Sequence, residues 1–226
     1  MAEGTIILRP VADVSLKHSA FSGSTEKTVG WNLIDDITTD KDSTFISHTT
    51  QEATKAETKS STFRLGGDTL VDNARITTAT TVFSLACTGD SNSLSVNFIV
   101  GGTSCFSETK ALTEKLDSDG NAVFVDLIWD CSGVVASINN YILSNNEFPQ
   151  IDLEITTAFP KTNEKQVISI SQIYLELGYK TGLGIYKKVN GVWTQAQAAY
   201  KKTGGVWVGM TEAECKQYMQ SVNIKH

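Results

Sequence analysis

Few residues in this chain are spaced for chemistry. Its three histidines, His18, His48 and His226, stand outside any Ser/Asp arrangement and outside HExxH spacing. There is no GxSxG, no Walker loop, and no GxGxxG ahead of a helix. Carboxylates are plentiful but dispersed through turn-rich stretches, as solubility alone would place them, and a glycosidase pair is defined by a separation in space. The expectation is a protein that is not an enzyme. For metal, Asp40, Asp42 and Thr44 alternate in DKDST, with Asp35 and Asp36 upstream, all hard oxygen ligands of the kind calcium takes in sets of about six to eight. The EF-hand's glycine and distal glutamate are missing, and Asp side chains more commonly cap their own turns. No cofactor is therefore expected, with Asp40 and Asp42 the candidates were calcium bound. Of the four tryptophans, Trp31 and Trp129 sit in apolar strand patterns and read as core. Trp193 and Trp207 read as surface, suited to stacking on a sugar or to a protein interface, where Tyr and Trp are over-represented.

These residues must be positioned by a chain of 226 residues, enough for one large all-β domain or one domain plus an appendage. Its apolar runs are too short to cross a membrane as a helix, and MAEGTIILRP has no basic segment of the signal-peptide type. Cys87, Cys105, Cys131 and Cys215 lie far apart without a CxxC, which favours free thiols in a reducing compartment while leaving a disulfide open. The net charge of −6 is uneven. Residues 180–226 carry seven Lys and two Glu, hence +5, leaving −11 for the first 179. Such an acidic body repels phosphate, so no nucleic acid is expected as a partner.

Val167–Tyr179, VISISQIYLELGY, organises the rest. It alternates with period 2 but changes parity once: Ile168 and Ile170 share one face, and Ile173, Leu175, Leu177 and Tyr179 the other, which requires a bulge or bend near Ser171–Gln172. Earlier strands are expected at Thr5–Leu8, stopping at Arg9–Pro10, then at Val29–Leu33, Phe45–Ile46, Phe63–Leu65, Ala74–Ile76, Val82–Leu85, Leu94–Val100, Val123–Trp129 and Ile151–Ile155. Val11–Lys27 reads as turn-rich, Ser47–Ser61 as an exposed loop or hydrophilic edge, and Ser104–Asp117 as either loop or helical turn. Asp119–Gly120 marks a turn. Val134, Ile138 and Ile142, widened by Val135 and Leu143, predict one helix that ends at Asn145–Asn146. Many short strands and one crossing helix fit a mainly β, antiparallel jelly-roll-type β-sandwich over residues 1–180.

Residues 181–226 hold a repeat. Tyr186-Lys187-Lys188-Val189-Asn190-Gly191-Val192-Trp193 recurs as Tyr200-Lys201-Lys202-Thr203-Gly204-Gly205-Val206-Trp207, fourteen residues later. Asn-Gly and Gly-Gly between β-forming residues predict two hairpins with type I′ turns, each presenting Tyr and Trp from opposite arms. Thr211-Glu212-Ala213-Glu214 is a capping box, starting a helix to about Val222 with Cys215, Tyr218, Met219 and Val222 on one face. Paired hairpins alone are marginal in water, so the module needs support from the body, its helix or another chain. The expected docking residues are Tyr186, Trp193, Tyr200, Trp207, Tyr218 and Met219.

The segments ILRPVADVS, WNLIDDITTDKDSTFIS and IYLELGY resemble the jelly-roll domain of structural proteins in tailed phages and prophages of Gram-positive bacteria, a domain similar in fold to carbohydrate-binding modules. The YKKVNGVW/YKKTGGVW repeat is similar to aromatic–Lys–Asn–Gly–Val–Trp repeats that close many such proteins, with Thr203-Gly204 departing from the usual Val-Asn. The resemblance implies a virion component without catalytic residues, placed on tail, baseplate or capsid surface and assembled in the bacterial host cytoplasm. Its partners would be other virion proteins, with a homo-oligomer in the particle and no membrane. A glycan-binding, carbohydrate-binding-module-like adhesin that meets host-surface glycan is the alternative, and a glycoside hydrolase, recognisable by polysaccharide turnover, a third.

Overall fold

The computed structural model describes residues 3–17, 19–21, 31, 34, 45–50, 55–68, 70, 74–89, 91–162, 164–181, 186–189, 192–195, 199–210, 214 and 217. The strand that organises it is β10 (Val167–Thr181). One edge of β10 pairs along its length with β5 (Ala74–Cys87). The other edge pairs first with β3 (Ile46–Thr49) and then with the start of β1 (Glu3–Lys17). The expected parity change is present: Ile170 opposes Leu85 and Gln172 opposes Ser84, so Ser171 is the extra residue of a bulge. On its two sides Ile168, Ile170, Ile173, Leu175 and Leu177 are all buried. A strand whose apolar residues change parity can bury all of them only by such a kink.

β1 leaves β10 after Leu8 and continues against β4 (Glu57–Gly67), so one strand serves both halves of the sandwich. One half holds β2 (Ser19–Phe21), β3, β10, β5 and β8 (Val125–Asp130). The other holds the end of β1, β4, β9 (Ile151–Phe159), β6 (Ser93–Val100) and β7 (Thr103–Ala111). Every pairing is antiparallel, and the sheet curls through β1 into a jelly-roll-type sandwich. A single apolar cluster fills it, centred on Phe63, Phe83, Phe98, Trp129 and Phe159. The helix α1 (Ser132–Asn145) packs on β5, β6 and β7, with Val134 and Ile138 buried and Asn146 closing it in the left-handed conformation. Asn139 clamps β5, accepting from the Ile76 N–H and donating to its carbonyl, both at 2.9 Å.

Several boundaries differ from the sequence expectation. β1 does not stop at Pro10: it passes to β4 at Leu8, Pro10 opposes Leu65, and the register on β4 shifts between Pro10 and Ala12, an irregularity beside the residue that lacks an N–H. Ala74–Ile76 and Val82–Leu85 belong to one strand, β5, whose threonines pair as readily as its apolar residues. The first half of Ser104–Asp117 belongs to β7. Trp31, half-buried against the core, lies in a turn rather than a strand, its carbonyl accepting the Ile34 N–H at 3.1 Å. The Asp119–Gly120 turn forms, with the Asp117 carboxylate accepting from the N–H groups of Asp119 and Asn121.

The stretch 47–61 departs furthest, since its described part includes β3, the start of β4 and buried side chains. His48 is buried, its Nδ1 2.8 Å from the Thr157 hydroxyl and its Nε2 3.0 Å from that of Ser61. Lys59 is buried too and pairs with Glu57 at 2.9 Å. This end of the interior is polar, and its groups are tolerated because they bond one another.

Candidate docking surface

The repeat folds as two hairpins, each its own two-stranded sheet. In the first, β11 (Tyr186–Val189) pairs with β12 (Val192–Gln195), and Val189 opposes Val192 across a two-residue connection. In the second, β13 (Tyr200–Thr203) pairs with β14 (Val206–Gly209) around Gly204–Gly205. Gly204 and Gly205 have φ of 57° and 84°, the doubly left-handed pair that a type I′ turn demands and that only glycine or a few polar residues accept cheaply.

Register decides which side chains act together. Tyr200 opposes Gly209 and Lys202 opposes Trp207, so Tyr200, Lys202 and Trp207 share one face. Lys201, Thr203, Val206 and Val208 share the other. Trp207 is 67% exposed, Val206 65%, Tyr200 61% and Val208 45%. On the second face Lys201 pairs with Glu214, which is helical. The first hairpin repeats the offsets, with Lys188 opposite Trp193 and Tyr186 opposite Gln195. Its side chains, those of Tyr186 and Trp193 included, lie outside the described residues, as do Tyr218, Met219, Cys215 and the rest of the expected helix apart from Glu214 and Gln217. Lys202 was legible only as charge in the sequence. Its place beside Trp207 follows from counting two residues outward from each side of the Gly-Gly turn.

Other candidate chemistry is sparse. Asp35, Asp36, Asp40, Asp42 and Thr44 lie outside the described residues, and no cluster of three or more His, Cys, Asp or Glu side chains suited to a metal occurs among the described ones. A groove on the sandwich is lined by Thr88, Gly89, Glu114, Thr162, Glu164, Lys165 and Gln166, with no aromatic ring on which a sugar would stack. Trp129, expected in the core, is fully buried in edge contact with Phe83, 5.0 Å between ring centroids. Cys87, Cys105 and Cys131 are free thiols, and Cys215 lies outside the described residues. Burial pushes the Cys131 thiol up to about 12 and raises Cys105, so neither is primed as a nucleophile.

No protein-family model and no curated protein sequence matches the chain. Among solved structures it is similar to the glycoside hydrolase domain of Endo-D from Streptococcus pneumoniae R6, at 9% identity and a TM-score of 0.33, over 92% of this chain and 30% of that one. It is also similar to dimeric latent PorU from Porphyromonas gingivalis, at 11% identity and a TM-score of 0.27, over 80% of this chain and 13% of that one. A third similarity is to the structure of infectious bursal disease virus Gt strain, at 10% identity and a TM-score of 0.22, over 78% of this chain and 60% of that one. The chain thus spans less than a third of the length of the first two. At these scores the three likenesses carry no functional argument.

Proposed function

We propose that this chain is a non-enzymatic structural subunit of a tailed-phage virion, assembled in the bacterial host cytoplasm and displayed on the tail, baseplate or capsid surface. Residues 1–180 form its body and residues 181–226 the module that anchors it to neighbouring virion proteins. The observation that carries this reading is the second hairpin, which leaves Tyr200, Val206, Trp207 and Val208 in solvent on a two-stranded sheet. Two strands bury too little apolar surface to be stable alone. Large exposed aromatics are the anchor type that protein interfaces use.

The test is to change Trp193 and Trp207 to Ala in the full chain and follow its incorporation into particles. A folded variant that no longer incorporates is expected; normal incorporation overturns the docking role. A rival use of the same exposed ring, stacking on a host-surface glycan, separates cleanly. It requires wild-type binding on a glycan array that Trp207→Ala abolishes.

A further inference from the structure

Taking the docking role above as its premise, we infer that the hairpin face bearing Tyr200, Lys202 and Trp207 docks on the outward face of β8 in a second copy of this chain. β8 carries Asp126, Ile128 and Asp130 on one side, since alternate residues of a strand share a face, and all three are exposed. Ile128 is 57% exposed, between two carboxylates. In the segment leading into β8, Leu116 and Val123 are also exposed, on either side of the Asp117–Asp119 turn. An apolar centre rimmed by acids is the counterpart of an indole rimmed by lysine and tyrosine.

Charge favours the same pairing. Residues 1–179 carry −11 and residues 180–226 carry +5, so two bodies repel while a tail and a body attract. Two cations lie close in the chain or in space to these residues: Lys115, exposed next to Leu116, and Lys110, which does not spoil the Ile128 patch. Lys110 donates to the Ile128 carbonyl from the strand edge and sits over the Trp129 ring, 4.8 Å from its centroid. Trp129 points inward, so that ammonium lies on the side away from the Ile128 side chain. Among the body's described residues the other exposed large apolar side chains, Val11 and Val14, flank a single carboxylate, Asp13, and follow Arg9 in the chain. The hairpin's opposite face is less suited, because Lys201 is held by Glu214.

Because the two surfaces differ, the contact is heterologous. Each subunit offers one hairpin face and one β8 face, so copies add head to tail into a ring or an open row.

The test is sedimentation velocity on the full chain over a concentration series. Wild type is expected to self-associate, more weakly as salt rises. Lys202→Glu and Asp126→Lys should each weaken association about tenfold or more, and the chain carrying both should recover it. Both positions are exposed, and recovery in the combined variant reports folding and contact together. A wild type that stays monomeric throughout, an Asp126→Lys chain that associates like wild type, or a combined variant that stays weak overturns the inference. If self-association fails in this way while the Trp193/Trp207 variant still drops out of particles, the docking role stands with another partner. If the tryptophan variant incorporates normally, the docking role falls and this inference with it.

Discussion

Two tryptophans show how differently the two ends of this chain use the same side chain. Trp129 is fully buried at the end of β8, edge-on to Phe83, with the Lys110 ammonium over its ring. Trp207 stands 67% exposed on a hairpin opposite Lys202. Each has a lysine and a strand, yet one is enclosed by two sheet halves and a helix while the other faces solvent. In the body an indole supplies stability. In the tail it stays in solvent.

The sharpest way to break the comparison is to remove Ser171, the bulge residue of β10. A deletion slips the strand by one and turns either Ile168 and Ile170 or Ile173, Leu175 and Leu177 out of the core, and cooperative folding should be lost, as read by urea-induced unfolding. An extra glycine between Gly204 and Gly205 should leave that same transition unchanged. Next in size, Trp129→Ala should cost about 3–5 kcal/mol of stability, the range for large aromatics lost from a core. Trp207→Ala should stay within about 0.5 kcal/mol, as for surface positions. Matching losses at the two sites would erase the distinction between body and tail.

A further effect appears only at alkaline pH. Burial raises the Cys131 thiol from 9.0 to about 12, so the unfolded chain loses this proton first as pH rises. The stability this thiol contributes is whole below 9.0 and is lost as pH climbs toward 12. Cys131→Ala should flatten that part of the stability curve, measured by chemical unfolding at a series of alkaline pH values, and an unchanged slope would show that the thiol is not desolvated.

What the sequence made legible were patterns with a single period. The parity change at Ser171, the helix from Val134 to Ile142 and the glycine turn at 204–205 all announced themselves locally. What stayed hidden depended on partners far along the chain. His48, Lys59 and Ser61 read as an exposed polar stretch because nothing nearby says that Thr157, in β9, will meet His48. β7 was ambiguous because an edge strand of Thr, Ser and Cys, half in solvent on both faces, has no clean alternation to detect. Pro10 argued for a stop because local rules cannot foresee a strand that has just changed neighbours, at Leu8, and shifts register beyond Pro10. On the second hairpin the aromatics were legible, whereas the face they share with Lys202 needed register, which is a property of pairs.

One consequence follows from the way β10 is seated. The tail leaves from Thr181, the last residue of a strand bonded on one edge to β5 and on the other to β1 just before that exit. Tension on the tail therefore pulls β10 lengthwise against two rows of bonds at once, straining them in parallel instead of opening them one after another. A pull on this chain by its last residues works against its most firmly gripped strand.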